Sequence, residues 1–78
     1  MNIDINNIIK IINKSINKFE VSLELKDEDL SNLGMDSISF ITLIVLFEEE
    51  LKIEIPDEYL IFEKMNTINK IYNVIQSI

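Results

Sequence analysis

Residues 3–19 carry one apolar stripe at helical period, and that stripe does most to limit the fold. Ile5, Ile8, Ile9, Ile12, Ile16 and Phe19 fall at i, i+3, i+4, i+7, i+11 and i+14, the spacing that puts side chains on one side of an α-helix. Lys10, Lys14 and Lys18 line another face. Asn2 is placed to cap the start of this helix, and Asp4 suits the positive end of its dipole. A second helix is expected over Ser37–Leu51, with Asp36 as its N-cap and the chain's only glycine, Gly34, just before it. Pro56 stops any continuation, and Asp57 can cap a short third helix through Phe62. Asn66 or Thr67 then caps a fourth helix to about Gln76, whose stripe is Ile68, Ile71, Tyr72, Ile75 and Ile78.

Residues 20–35 give no helical period. Val21, Leu23 and Leu25 alternate as in a strand, but their available partner is KIEI at 52–55, and an isolated two-stranded pair is marginal. The segment is expected to be a long loop pinned by Leu25, Leu30 and Leu33, with a short helical turn near 27–31. Loops of this length in small domains are often functional. The fold class expected is all-α: one domain over residues 1–78, a small four-helix bundle with a short third helix and a long loop after the first.

The second helix has two apolar sides. Phe40, Leu43, Ile44, Phe47 and Leu51 lie within about 100° of arc and form a core stripe. Ile38, Ile41 and Val45 lie on the opposite side, continued by Glu48, Glu49 and Lys52. A core too small to cover both sides leaves the second as a docking surface.

Charge and residue types narrow the chemistry. The net charge of −7 is concentrated over residues 36–63, where eight acids face Lys52 alone; residues 64–78 carry two lysines and no acid. Such a surface repels nucleic-acid phosphates and attracts basic protein surfaces. The chain has neither histidine nor cysteine, so disulfides, Cys or His metal sites and Ser-His or Cys nucleophiles are excluded. Asp27, Glu28 and Asp29 are clustered but read as a solvated loop, so no catalytic residue and no bound metal are expected. No apolar run approaches the roughly 18 residues that span a bilayer, and MNIDINNIIK does not resemble a signal peptide. A soluble, cytoplasmic monomer that binds neither nucleic acid nor membrane is expected.

The stretch NLGMDSISF, Asn32–Phe40, then raises the question of function. Ser37 stands at the expected start of the second helix as a possible cap, nucleophile or attachment point. Asp36 takes the cap role better, and no group nearby can deprotonate the hydroxyl. The N–H groups of a helix start favour negative charge, so a phosphate on Ser37 would meet an anion site.

LGMDSI resembles the prosthetic-group attachment motif of acyl carrier proteins, and LIVLFEEELKIEIPDE, residues 43–58, is similar to the acidic helix end and following loop of that family. The resemblance implies a four-helix fold of the acyl-carrier type. It implies that Ser37 receives 4′-phosphopantetheine from coenzyme A through a phosphopantetheinyl transferase and Mg²⁺, with Asp36 assisting metal binding in that complex. Acyl groups would then travel as thioesters on the arm between loading, condensing and transferring enzymes with basic docking patches. Ile38, Ile41, Val45, Glu48 and Glu49 would form the recognition face. Phe40, Leu43, Phe47, Ile55 and Leu60 would line an acyl-chain cavity, or be plain core.

Carriers of fatty acid synthesis often have further acids where Ser39 and Thr42 stand here, which favours a free-standing carrier in a specialised polyketide or nonribosomal pathway over a fatty acid one. Gly34-Met35 stands where peptidyl carriers typically have two glycines, which favours acyl over aminoacyl or peptidyl cargo. The alternative is an unmodified helical adaptor docking a partner through Ile38, Ile41 and Val45.

Overall fold

A computed structural model describes residues 2–15 and 20–78. They contain three α-helices, α1 (Ile5–Ser15), α2 (Ser37–Leu51) and α3 (Ile68–Ser77). Short 3-10 turns stand at Leu23–Leu25, Leu30–Leu33, Asp57–Tyr59 and Phe62–Lys64. No strand occurs among the described residues, so the alternation at Val21, Leu23 and Leu25 does not build a sheet. None of their helices is long and apolar enough to cross a membrane.

The expected third helix is replaced by two separate turns, which makes three α-helices and not four. Leu60 (φ −82°, ψ 39°) and extended Ile61 (φ −119°, ψ 124°) interrupt it. Only ten residues, 57–66, separate Pro56 from Thr67, the cap of α3, and so short a helix gains little from its own hydrogen bonds. The break lets the chain bury Met65 completely and half-bury Phe62.

α1 starts where Asp4 Oδ1 accepts from Asn6 N–H at 2.9 Å, so the cap falls to Asp4 and not to Asn2. The expected continuation through Ile16, Lys18 and Phe19 lies outside the described residues. Ile8 and Ile12 are fully buried, Ile5 and Ile9 half-buried, and Ile11 is buried as well. Its burial follows from packing: α1 lies against both α2 and α3, so its covered arc is wider than a single stripe. In α3, capped by Thr67 Oγ1 from Lys70 N–H at 3.1 Å, Ile68, Ile71 and Ile75 are fully buried. Tyr72 is half-buried, whereas Ile78 lies past the helix end and is exposed.

Phe40, Leu43, Ile44 and Phe47 of α2 complete a core shared with Val21, Leu30, Met35 and Ile55. Burying each large side chain contributes about 1.5–3 kcal/mol. Leu51 is half-buried at the end of that stripe. There the chain turns through left-handed Lys52 (φ 54°, ψ 48°). Ile53 N–H reaches Glu48 O at 3.2 Å and Ile55 N–H reaches Glu48 Oε2 at 3.0 Å. These bonds fold the chain back and deliver Ile55 to the core.

The loop after α1 is held by side-chain amides as well as by its leucines. Asn13 accepts from Val21 N–H at 2.7 Å and donates to Val21 O at 2.9 Å, a two-way clasp that seats Val21 in the core. Leu25 and Leu33 pack against the core from the side and Leu30 is fully inside it. Of the helical turns in this loop, Leu30–Leu33 overlaps the end of the expected position near 27–31 and Leu23–Leu25 precedes it.

Candidate functional site

Three successive devices place Ser37. Asp29 opens the Leu30–Leu33 turn by accepting from Ser31 N–H at 2.9 Å. That turn closes at Gly34, where Gly34 N–H reaches Ser31 O at 3.2 Å and Met35 N–H reaches Leu30 O at 3.1 Å. This is a Schellman closure, centred on a φ of 108° that any residue with a Cβ resists. Asp36 then caps α2, accepting from Ser39 N–H at 2.8 Å through Oδ1 and from Phe40 N–H at 2.9 Å through its main-chain oxygen. Ser37 follows as the first helical residue, exposed, with the cap role already taken.

A cleft of about 290 Å³ opens beside it, lined by Ser31, Met35, Asp36, Ser37, Phe40 and Phe62. Phe40 and Phe62 meet edge to face, with ring centroids 5.4 Å apart at 85°. The cleft wall is almost wholly apolar, although Ser31, Asp36 and Ser37 are among its lining residues. Of the five residues expected to line a cavity, Phe40 lines this cleft. Leu43, Phe47 and Ile55 lie in the core, and Leu60 is half on the surface. Ser31, Met35 and Phe62 were not singled out in the sequence.

The outer side of α2 is exposed as a continuous set of helical positions: Ile38 at 78%, Ile41 at 55% and Val45 at 46%. Thr42 returns its hydroxyl to Ile38 O at 3.0 Å. Glu49 is exposed, while Glu48 is half-buried with one carboxylate oxygen on Ile55 N–H. Glu50 instead pairs with Lys14 of α1, a surface pair worth at most about 1 kcal/mol.

The acids of the 27–29 cluster have structural partners. Asp27 accepts from Asn69 Nδ2 at 3.1 Å, Glu28 from Asn32 Nδ2 at 3.3 Å, and Asp29 from Ser31 and Asn66. The hydrogen bonds from the Ser31 hydroxyl and main chain hold the Asp29 carboxyl below its ordinary value against the opposing effect of burial, with lesser help from the Asn66 hydrogen bond and the charge of Lys70. Its folded value is depressed, so its contribution is present above the ordinary carboxylate range and is lost as pH falls through that lowered value.

A family model described as a phosphopantetheine attachment site matches residues 8–75. The protein of Ureaplasma parvum called an acyl carrier protein homolog is 30% identical over 78 residues, 100% of this chain and 97% of that one. The chain belongs to the acyl carrier protein family. It is also 33% identical to the acyl carrier protein of Picosynechococcus sp. over 69 residues, 85% of this chain and 83% of that one. With the acyl carrier protein of Clostridium perfringens it shares 43% identity over 44 residues, 56% and 55% of the two chains. No solved structure matches.

Acyl carrier proteins are carriers and not enzymes, and they work with a phosphopantetheinyl transferase and with biosynthetic enzymes. The family's prosthetic group is 4′-phosphopantetheine. The residues beside Ser37 fit such a group. An exposed primary hydroxyl stands on the first turn of a 15-residue helix, whose leading N–H groups favour phosphate oxygens. An apolar cleft opens next to it.

Proposed function

We propose that Ser37 Oγ is the attachment point of 4′-phosphopantetheine and that residues 1–78 act as one carrier domain for acyl groups. The observation that carries this reading is the exposed Ser37 hydroxyl, placed by the Gly34 and Asp36 devices at the start of α2 with the cap role already filled. When bound, the group supplies a terminal thiol that holds an acyl chain as a thioester. Ser37 provides the oxygen of the phosphodiester, and the helix N-terminus stabilises its charge. The hydroxyl proton leaves to a base in the transferase, since this chain has no histidine or cysteine. Asp36 keeps Oδ1 on Ser39 N–H and offers its carboxylate to the transferase's Mg²⁺.

Ile38, Ile41 and Val45, with Glu49 and the outer edge of Glu48, form the recognition face for enzymes with basic docking patches. Ser39 and Thr42 leave the first two turns of that face without charge, which favours a specialised pathway, polyketide before nonribosomal, over fatty acid synthesis. Phe40 with Phe62 walls the cleft that shelters the start of a cargo chain; Leu43, Phe47 and Ile55 fill the core of the domain, and Leu60 lies on its surface.

Incubation with coenzyme A, Mg²⁺ and a broad-specificity phosphopantetheinyl transferase, followed by intact-mass measurement, tests the reading. One phosphopantetheine is gained by the wild type and none by Ser37→Ala. An undiminished gain in Ser37→Ala, or none in the wild type, overturns it.

A further inference from the structure

We infer that the Asp29–Asn66 hydrogen bond is a positioning strut that fixes the serine-bearing turn to the start of α3 and so presents Ser37 in one arrangement to the enzyme that modifies it. The inference rests on Ser37 being the attachment point.

Asn66 grips residues 29 and 30 twice. Its main-chain oxygen accepts from Leu30 N–H at 2.8 Å, and its Nδ2 donates to Asp29 Oδ2 at 3.0 Å. The amide cannot turn over freely, because its Oδ1 accepts from Lys70 Nζ at 2.9 Å and an ammonium only donates. Asp29 uses its other oxygen on Ser31, taking both N–H at 2.9 Å and hydroxyl at 2.7 Å. From Ser31 the constraint passes through short bonds alone: Gly34 N–H to Ser31 O, Met35 N–H to Leu30 O, then the Asp36 cap of α2. Ser37 is therefore tied to the approach to α3 through residues 29 and 66, 37 positions apart in sequence, by a carboxylate–amide bond beside the main-chain bond from Leu30.

Both walls of the cleft hang from this joint. Ser31 is on the Asp29 side. Phe62 is on the Asn66 side, where Met65 N–H bonds to Phe62 O at 2.9 Å immediately before Asn66. A second tie lies one turn further along α3, where Asn69 N–H reaches Lys26 O at 2.9 Å and Asn69 Nδ2 reaches Asp27. Breaking the strut therefore loosens the serine turn without detaching the loop. A loosened turn must be reordered when the transferase binds, a cost that falls on KM.

The test uses the opposite hydrogen-bonding polarity of the two partners. Asp29→Asn keeps an oxygen for Ser31 and still caps the turn, but sets an NH₂ group against the NH₂ of Asn66. Asp29→Asn combined with Asn66→Asp reverses donor and acceptor, and the new carboxylate still accepts from Lys70. Transferase kinetics with coenzyme A and Mg²⁺ and amide hydrogen exchange at Gly34 and Met35 are measured on all three proteins.

In Asp29→Asn, KM for the carrier rises about five- to tenfold, the scale of one hydrogen bond in an equilibrium, with kcat unchanged, and exchange at Gly34 and Met35 accelerates. The double variant brings KM and exchange back toward wild type. Unchanged KM and exchange in Asp29→Asn, a loss confined to kcat, or a double variant no better than the single one overturns the strut. If Asp29→Asn fails to fold, recovery by the double variant decides alone. If the wild type takes up no phosphopantetheine, the attachment reading fails, and the exchange measurements still judge the strut.

Discussion

The two long sides of α2 are built from the same kinds of residue and meet opposite fates. On one side Phe40, Leu43, Ile44 and Phe47 are no more than 5% exposed; on the other Ile38, Ile41 and Val45 are 46–78% exposed. Hydropathy does not separate them, since isoleucine occurs in both sets. Their neighbours do: α1 packs against α2 on the inner side, and no described element covers the outer one. A scattered apolar residue on a surface is ordinary, but three on one side of consecutive turns form a patch, and patches are where partners dock. The inner side serves stability, and the outer side is the one proposed for association.

Phe47→Ala strikes the inner side hardest. Phe47 is fully buried at the centre of α2, so its loss removes transfer energy and leaves a cavity, about 3–5 kcal/mol together. Against a total stability of about 5–15 kcal/mol, that brings the protein close to unfolding at room temperature. Urea unfolding followed by circular dichroism measures it. A loss below about 1 kcal/mol, in the range of surface substitutions, would erase the distinction between the sides.

That distinction was legible in the sequence because it is periodic. The bounds of α2 were legible too, since Asp36 and Gly34 are chemically suited to the positions they occupy. What escaped depends on side chains far apart in sequence. Nothing local marks Asn66 as the partner of Asp29, or Asn13 as the clasp on Val21. The nine asparagines of the chain look like a compositional bias, yet Asn66 and Asn69 each close a long-range contact and Asn13 clasps the loop that follows α1. The third helix was misread because a proline followed by an acid signals a helix start, and that signal says nothing of whether packing will sustain the helix. Ser37 was singled out through its motif, but the cleft beside it needs Phe62, which reaches Phe40 across 22 positions of chain only in the fold.

Lys52 sharpens the comparison at the end of the helix, where the inner side closes. Its left-handed backbone (φ 54°) is the conformation that Gly34 adopts before α2, but with a Cβ present. Lys52→Gly removes that penalty and is expected to raise stability by about 1 kcal/mol. The exposed side chain of Lys52 contributes little to set against it. The urea midpoint should rise with the exposed row of Ile38, Ile41 and Val45 unaltered. A fall would show that the Lys52 side chain, and not its backbone geometry, governs the turn that delivers Ile55 to the core.

Ile41→Lys makes the smallest change in stability and is the sharpest test of the outer side. Ile41 is 55% exposed, so the long lysine should be accommodated with a stability change within about 0.5 kcal/mol. Association should respond differently. The substitution removes apolar contact area and places a positive charge on the face proposed to meet basic partners, and both effects oppose docking. With the fold intact, kcat/KM for transferase loading is expected to fall about tenfold, the equivalent of roughly 1.4 kcal/mol of binding. The two measurements separate the possibilities. Lost stability with normal loading would assign Ile41 to packing and dissolve the outer side as a docking surface. Normal stability with normal loading would leave the exposed apolar row without a role in this reaction and shift recognition toward Glu49 and the acids beyond it.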